Sequence, residues 1–230
     1  MDSPATAVAA SGPATGPDAE RAAILAAMHA AYLVAVIRTP TVEAARDAAQ
    51  AVIAGGITVV EITLTVPGAT AVISELTGTL HRDSALLVGA GTVLTPDDAR
   101  AALDCGARFL VSPIAPPDLA EIAHAAGVPM ILGALTPTEV VTAVGQGADL
   151  VKIFPVGPLG GPDYIRLLLG PFPTLPLLAT GGTRLTDLPA YRELGVRAVS
   201  FTNALTPPEL VEKRRWGDIT SLARQAVGMR

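Results

Sequence analysis

Eight short runs rich in Val, Ile and Leu recur along this chain, each followed by an Ala-rich segment of helical character. The runs are "YLVAVIR" (32–38), "TVVEITL" (58–64), "LLVGAGTV" (86–93) and "RFLVSP" (108–113), then "PMILGAL" (129–135), "LVKIFP" (150–155), "LPLLATGG" (175–182) and "RAVSFTNAL" (197–205). Segments such as "TPDDARAALDCGA" and "TPTEVVTAVGQGA" open on a Thr/Pro/Asp cluster suited to a helix start and close on Gly. Near-continuous apolar strands alternating with helices require a parallel sheet covered on both faces. Eight units within 230 residues predict an α/β fold of the (β/α)8 TIM-barrel type. A doubly wound open sheet is the alternative; it is disfavoured by the count and by the absence of G-x-G-x-x-G after the first strand. An additional N-terminal helix over 18–31, "DAERAAILAAMHAA", is expected to cap the barrel bottom.

Composition narrows the rest. Residues 1–17, rich in Ala, Pro, Ser, Thr and Gly, read as a flexible tail without the basic and apolar regions of a secretory signal. Residues 18–230 carry no linker or composition break and read as a single barrel domain. A net charge of −5 gives no footprint for nucleic acid, and no apolar run approaches the ~18 residues of a membrane span. Cys105 is the one cysteine, which excludes an internal disulfide and points to the cytoplasm. His29, His81 and His124 lack the spacing of metal ligands and read as surface or packing residues, so no metal site is expected. Trp216 reads as an anchor for the last helix.

The chain holds two lysines against fourteen arginines, and one of them, Lys152, stands inside the apolar strand "LVKIFP". An isolated ammonium in a low-dielectric site tends to pair or to lose its proton, and an uncharged lysine amine is a nucleophile. Alternation along the strands sets Lys152 and Phe154 on one face and Val151 and Ile153 on the other. The same rule sets Glu61, Thr63 and Thr65 opposite Val60, Ile62 and Leu64. With the apolar sets against the helices, Lys152 and Glu61 both point into the barrel. A structural ion pair is one reading; a nucleophilic amine beside an acid–base carboxylate is the favoured one. The other strand ends carry Arg38, Thr92, Ser112, Pro113, Thr180, Gly181 and Gly182, and active sites of such barrels form at that end. An inward Arg38 suits a substrate carboxylate. The Gly181-Gly182 loop suits a phosphate or, more plainly, a tight turn.

The stretches "VAVIRTPTVEAA", "AGGITVVEITLTVPGA", "VGAGTVLTPDDA", "FLVSP", "TPTEV", "VKIFP" and "ATGG" together resemble the 2-keto-3-deoxy-6-phosphogluconate (KDPG) and 4-hydroxy-2-oxoglutarate (KHG) aldolases over roughly residues 30–229. The resemblance implies a class I aldolase in which Lys152 forms an imine with a 2-keto acid and Glu61 shuttles protons, with no metal or other cofactor. It further implies that Thr92, Pro113, Phe154 and Thr180 hold the pyruvate moiety. The family's arginine lies either at the position of Thr65 or in the first strand, where Arg38 matches. Gly181, Gly182, Ser200 and Thr202 map to the phosphate end, and a homotrimer is implied. Ser200, Thr202 and Asn203 replace the family's Gly, Gly and Ser, and their Cβ atoms narrow the backbone's approach to an anion. Ile114 and Val156 depart similarly after "SP" and "FP". The aldehyde acceptor thus stays open between phosphorylated and unphosphorylated classes. Two rivals remain: another phosphate-binding barrel enzyme, and a non-catalytic self-assembling barrel.

Overall fold

The structure is a computed structural model that describes residues 16–80 and 85–230. His81 and residues 1–15 of the expected tail lie outside the described residues. Strands β1 (Leu33–Ile37), β2 (Val59–Thr63), β3 (Leu87–Gly91), β4 (Leu110–Val111), β5 (Met130–Ala134), β6 (Leu150–Ile153), β7 (Leu177–Ala179) and β8 (Ala198–Phe201) close into one parallel barrel in chain order. Helix α1 (Pro17–Ala31) precedes it, starting one residue before the expected boundary. The intervening helices are α2 (Val42–Ala54), α3 (Ala69–Leu80), α4 (Pro96–Asp104), α5 (Leu119–Ala125), α6 (Pro137–Gly145), α7 (Pro162–Leu169) and α8 (Leu188–Glu193). Helices α9 (Pro208–Glu212) and α10 (Trp216–Gly228) follow β8. The (β/α)8 barrel with an additional N-terminal helix is therefore the observed fold.

Local chemistry explains the helix starts. Thr95 and Thr136 accept hydrogen bonds from the Asp98 and Glu139 backbone N–H groups, whose carboxylates accept from the Thr95 and Thr136 N–H groups in return. Proline follows each cap, where its missing N–H costs nothing. "PPDLA" behaves differently: Asp118 adopts φ 70° and makes no side-chain cap bond.

Two apolar clusters follow from strand alternation. Outward residues, among them Ala35, Val60, Ile62, Val151 and Val199, join the helices in the larger one. Inward Val34, Val59, Leu87, Phe109, Ile131 and Leu178 pack with Ile24 and Met28 of α1, which plugs the barrel bottom. Burying each such side chain contributes about 1.5–3 kcal/mol. Asp149, at the start of β6, ties this end together. It accepts from His124 Nε2 and the Met130 N–H, both at 2.8 Å, with Arg21 Nε at 3.4 Å. On the far side, α10 packs so closely on α2 that a Cβ at Gly55 would sit 2.4 Å from Ala223 Cβ. Trp216 packs against the larger cluster at the start of α10.

Candidate active site

The strand register gives the barrel interior its layers. Val36 pairs with Glu61, Glu61 with Gly89, Gly133 with Lys152, Lys152 with Leu178, and Val34 with Ser200. With the roughly one-residue stagger per strand of such barrels, this register sets Glu61, Val111, Lys152 and Ser200 at one height, one from each even-numbered strand. Glu61 and Lys152 come from opposite walls, and Val111 and Ser200 fill the flanks between them. Lys152 Nζ lies 3.8 Å from Glu61 Oε1, with side-chain exposures of 6% and 2%. Glu61 Oε1 has no hydrogen-bond partner among the described residues.

The next layer toward the mouth comprises Val36, Gly91, Gly133 and Thr180. Its two glycines leave room that side chains would fill. A Cβ on Gly91 would stand 1.9 Å from Glu61 Oε1, and one on Gly133 would stand 2.1 Å from the Pro113 carbonyl. Gly91 and Gly133 are thus site residues that motif reading passed over. The signal was present in "VGAG", because glycines two apart in a strand share one face and mark a close approach.

Around the rim, Thr63 donates to the Ile37 carbonyl at 3.2 Å and lies 2.9 Å from the hydroxyl of exposed Thr65. Thr92 adopts φ 60°, a left-handed conformation that strains a β-branched residue and that concentrates at functional sites. Pro113 is half-buried, Thr180 is buried, and the Phe154 ring centroid lies 5.5 Å from Lys152 Nζ. The loops after β6 and β7 are tied by Val156 N–H to Thr180 O and Gly157 N–H to Gly181 O. Gly181, at φ 82°, lies so near Phe154 that a Cβ would fall 2.7 Å from the ring. Gly182 and half-buried Thr202 complete this side. Arg38 follows Val34 and Val36 in alternation, is exposed, and forms no ion pair among the described residues.

One placement differs from the sequence expectation. Ser200, grouped there with the phosphate end, is a strand residue two positions before Thr202 on the same inward face and only 1% exposed, so it belongs to the floor beside Lys152. Its depth follows from β8 continuing through "AVSF" before the loop begins.

Other ionisable groups are set apart from this floor. Burial pushes the Tyr32 and Tyr191 hydroxyls up to about 12, which keeps both neutral near pH 7. Arg184, after β7, is committed to Asp187 through bonds of 3.0 and 2.9 Å. Among the described residues, no three His, Cys, Asp or Glu side chains gather as a metal site, and no helix is long and apolar enough to cross a membrane.

The family model for KDPG and KHG aldolases matches residues 24–222. The chain belongs to that family. It is 35% identical over 181 residues to the 2-dehydro-3-deoxy-phosphogluconate aldolase of Pseudomonas aeruginosa, covering 78% of this chain and 80% of that one. It is 31% identical over 195 residues to the KHG/KDPG aldolase of Escherichia coli K12, covering 85% and 90%. Among solved structures, KDPG aldolase from Legionella pneumophila, captured with pyruvate as a covalent carbinolamine, superposes with a TM-score of 0.77 at 30% identity. That match covers 92% of this chain and 98% of that one.

Proposed function

We propose that this KDPG/KHG aldolase-family protein is a class I aldehyde-lyase that makes and breaks a C–C bond between pyruvate and an aldehyde. The observation that carries the reading is the Lys152–Glu61 pair, buried in one layer of the barrel at 3.8 Å. The Legionella relative with pyruvate held as a carbinolamine supports the same chemistry.

In the cleavage direction, the Lys152 amine nitrogen adds to the C2 carbonyl and gives a carbinolamine. Its hydroxyl takes a proton from the Glu61 carboxylic acid and leaves as water, giving a protonated imine and the Glu61 carboxylate. Glu61 then takes the proton of the C4 hydroxyl, the C3–C4 bond breaks, and its electron pair moves into the imine to give a neutral enamine plus aldehyde. Glu61 returns the proton to C3, and water releases pyruvate and restores the lysine. The iminium is the electron sink, so the lysine does the work and no metal or other cofactor is invoked.

Arg38 and Thr65 at the rim, with Thr92, Pro113, Phe154 and Thr180, form the pyruvate half. Arg38 supplies a guanidinium for the carboxylate, and Phe154 and Pro113 cover the methyl carbon. Gly181, Gly182 and Thr202 border the acceptor half. The natural substrates we infer are 2-keto-3-deoxy-6-phosphogluconate, split to pyruvate and glyceraldehyde 3-phosphate, or 4-hydroxy-2-oxoglutarate, split to pyruvate and glyoxylate. Because Arg184 near that end is committed to Asp187, an unphosphorylated acceptor is the second reading.

We also infer that residues 18–230 act as one barrel domain in the cytoplasm, as a homotrimer. Val141 and Val144, three apart on α6, are 53% and 43% exposed, and Ile114 is 54% exposed, an apolar surface suited to a second copy. The charge of −5 offers nothing to nucleic acid. Pyruvate release from each substrate, measured in the presence of a metal chelator, tests the function. Chelator-resistant release supports it, and no release from either substrate or from an aldehyde panel refutes it.

A further inference from the structure

Ser200 is a polar residue that the reaction so far leaves unused. Its side chain points inward from β8, in the same layer as Lys152 and Glu61, and its Oγ is buried without a hydrogen-bond partner among the described residues. Its backbone is held firmly, with the carbonyl accepting from Thr183 Oγ1 at 2.6 Å. A buried hydroxyl left unpaired is destabilising unless something pairs with it in the working state. Glu61 Oε1 in the same layer likewise makes no hydrogen bond among the described residues, its nearest charged neighbour being Lys152 Nζ at 3.8 Å. The layer therefore has a chemical asymmetry. Between Lys152 and Glu61 lies apolar Val111 on one flank and the free hydroxyl of Ser200 on the other.

A carbon bonded to Lys152 Nζ passes through a tetrahedral state carrying an oxygen and two carbon substituents. By polarity, an oxygen suits the Ser200 flank and a carbon substituent suits the Val111 flank. Resting on the aldolase reading above, we propose that Ser200 is a further catalytic residue, whose hydroxyl holds the oxygen that leaves and re-enters C2 as water. In dehydration the carbinolamine oxygen, hydrogen-bonded to Ser200 Oγ, takes a proton from the Glu61 carboxylic acid. The C2–O bond breaks, the nitrogen lone pair forms C=N, and water departs with both protons accounted for. In hydrolysis Ser200 orients the incoming water toward C2 while Glu61 accepts its proton. The hydroxyl acts on imine formation and hydrolysis, whereas the C–C step and the exchange of C3 protons proceed at the enamine stage without it.

That separation is measurable with pyruvate alone. In heavy-oxygen water each cycle of imine formation and hydrolysis exchanges the keto oxygen, and in deuterium oxide the enamine exchanges the C3 protons. Both rates are taken above the uncatalysed background. Their ratio reads how long the imine lives between hydrolyses. Ser200→Ala is expected to raise the ratio of C3 exchange to oxygen exchange about tenfold, the effect of one lost hydrogen bond to the reacting oxygen. Because the substitution removes an unpaired buried hydroxyl, the variant should melt at the same temperature as the parent or higher. Ser200→Gly should raise the ratio likewise. A ratio unchanged in both variants, with the parent still trapped by borohydride and pyruvate, overturns the role of Ser200 and leaves the aldolase reading standing. A parent that forms no adduct overturns both.

Discussion

Lys152 and Glu61 reach toward one another from β6 and β2, opposite strands of the closed barrel, and Nζ and Oε1 stand 3.8 Å apart with almost no solvent access. Neither residue lies on a loop, so packing on both sides of each strand holds the pair in place. That spacing suits relay of a proton through a substrate oxygen or a water, and Glu61 Oε1 keeps a free lone pair for it.

Replacing the acid while preserving its shape isolates proton transfer. Glu61→Gln should lower the turnover number for pyruvate release by about 10²–10³-fold, the usual range for losing a general acid–base. The variant should still form the lysine adduct, more slowly. The buried pair is broken as well, so rates are normalised to folded protein. Turnover near that of the parent would remove Glu61 from the chemistry.

The glycine below the rim should behave as part of the acid. Gly91→Ala places a Cβ 1.9 Å from Glu61 Oε1, so the carboxylate must move. Activity should fall about as far as in Glu61→Gln, with stability lowered by about 1–3 kcal/mol. Gly78, on α3 with nothing within 4 Å of its would-be Cβ, is the matched control. Gly78→Ala should stabilise by about 0.5–1 kcal/mol with activity unchanged. Urea midpoints and steady-state assays read both.

The opposite end of the barrel should affect stability alone. Asp149 accepts from His124 and the Met130 N–H and sits near Arg21, joining β6 to α5 and α1. Asp149→Ala should cost about 2–3 kcal/mol in urea unfolding, since a largely buried carboxylate with charged and backbone donors is lost. Turnover per folded molecule should not change.

One surface group gives a stability effect with a defined pH window. Bonds from the Thr136 and Leu135 N–H groups and the Thr136 hydroxyl hold the Glu139 carboxyl below its ordinary value. A lowered folded-state value stabilises above the unfolded carboxylate pKa, and the benefit disappears as pH falls through the folded value. Glu139→Gln should therefore be less stable than the parent near pH 7, with the gap closing under acid conditions below the ordinary glutamate range. Melting curves across that range check it.

Much of this was legible from alternation alone. The inward aim of Lys152 and Glu61 follows from the period of two in their strands, and the helix over 18–31, set before the first strand, reads as a cap on the barrel bottom. Strand ends were less legible. "RFLVSP" yields two strand residues in β4, because Pro113 offers no N–H to extend the ladder. "LPLLATGG" yields three in β7, bounded by Pro176 and by Gly181 at φ 82°. The place of Ser200 was not legible from its motif. Its partnership with Lys152 depends on the stagger of strands round the barrel, which joins residues 48 positions apart and exists only once the sheet closes.

The most direct measurement is borohydride reduction of the full chain with pyruvate, followed by peptide mass analysis. The account predicts one reduced pyruvate adduct, located on Lys152 and absent from Lys152→Ala. An adduct on Lys213, an adduct that survives Lys152→Ala, or none at all would contradict it.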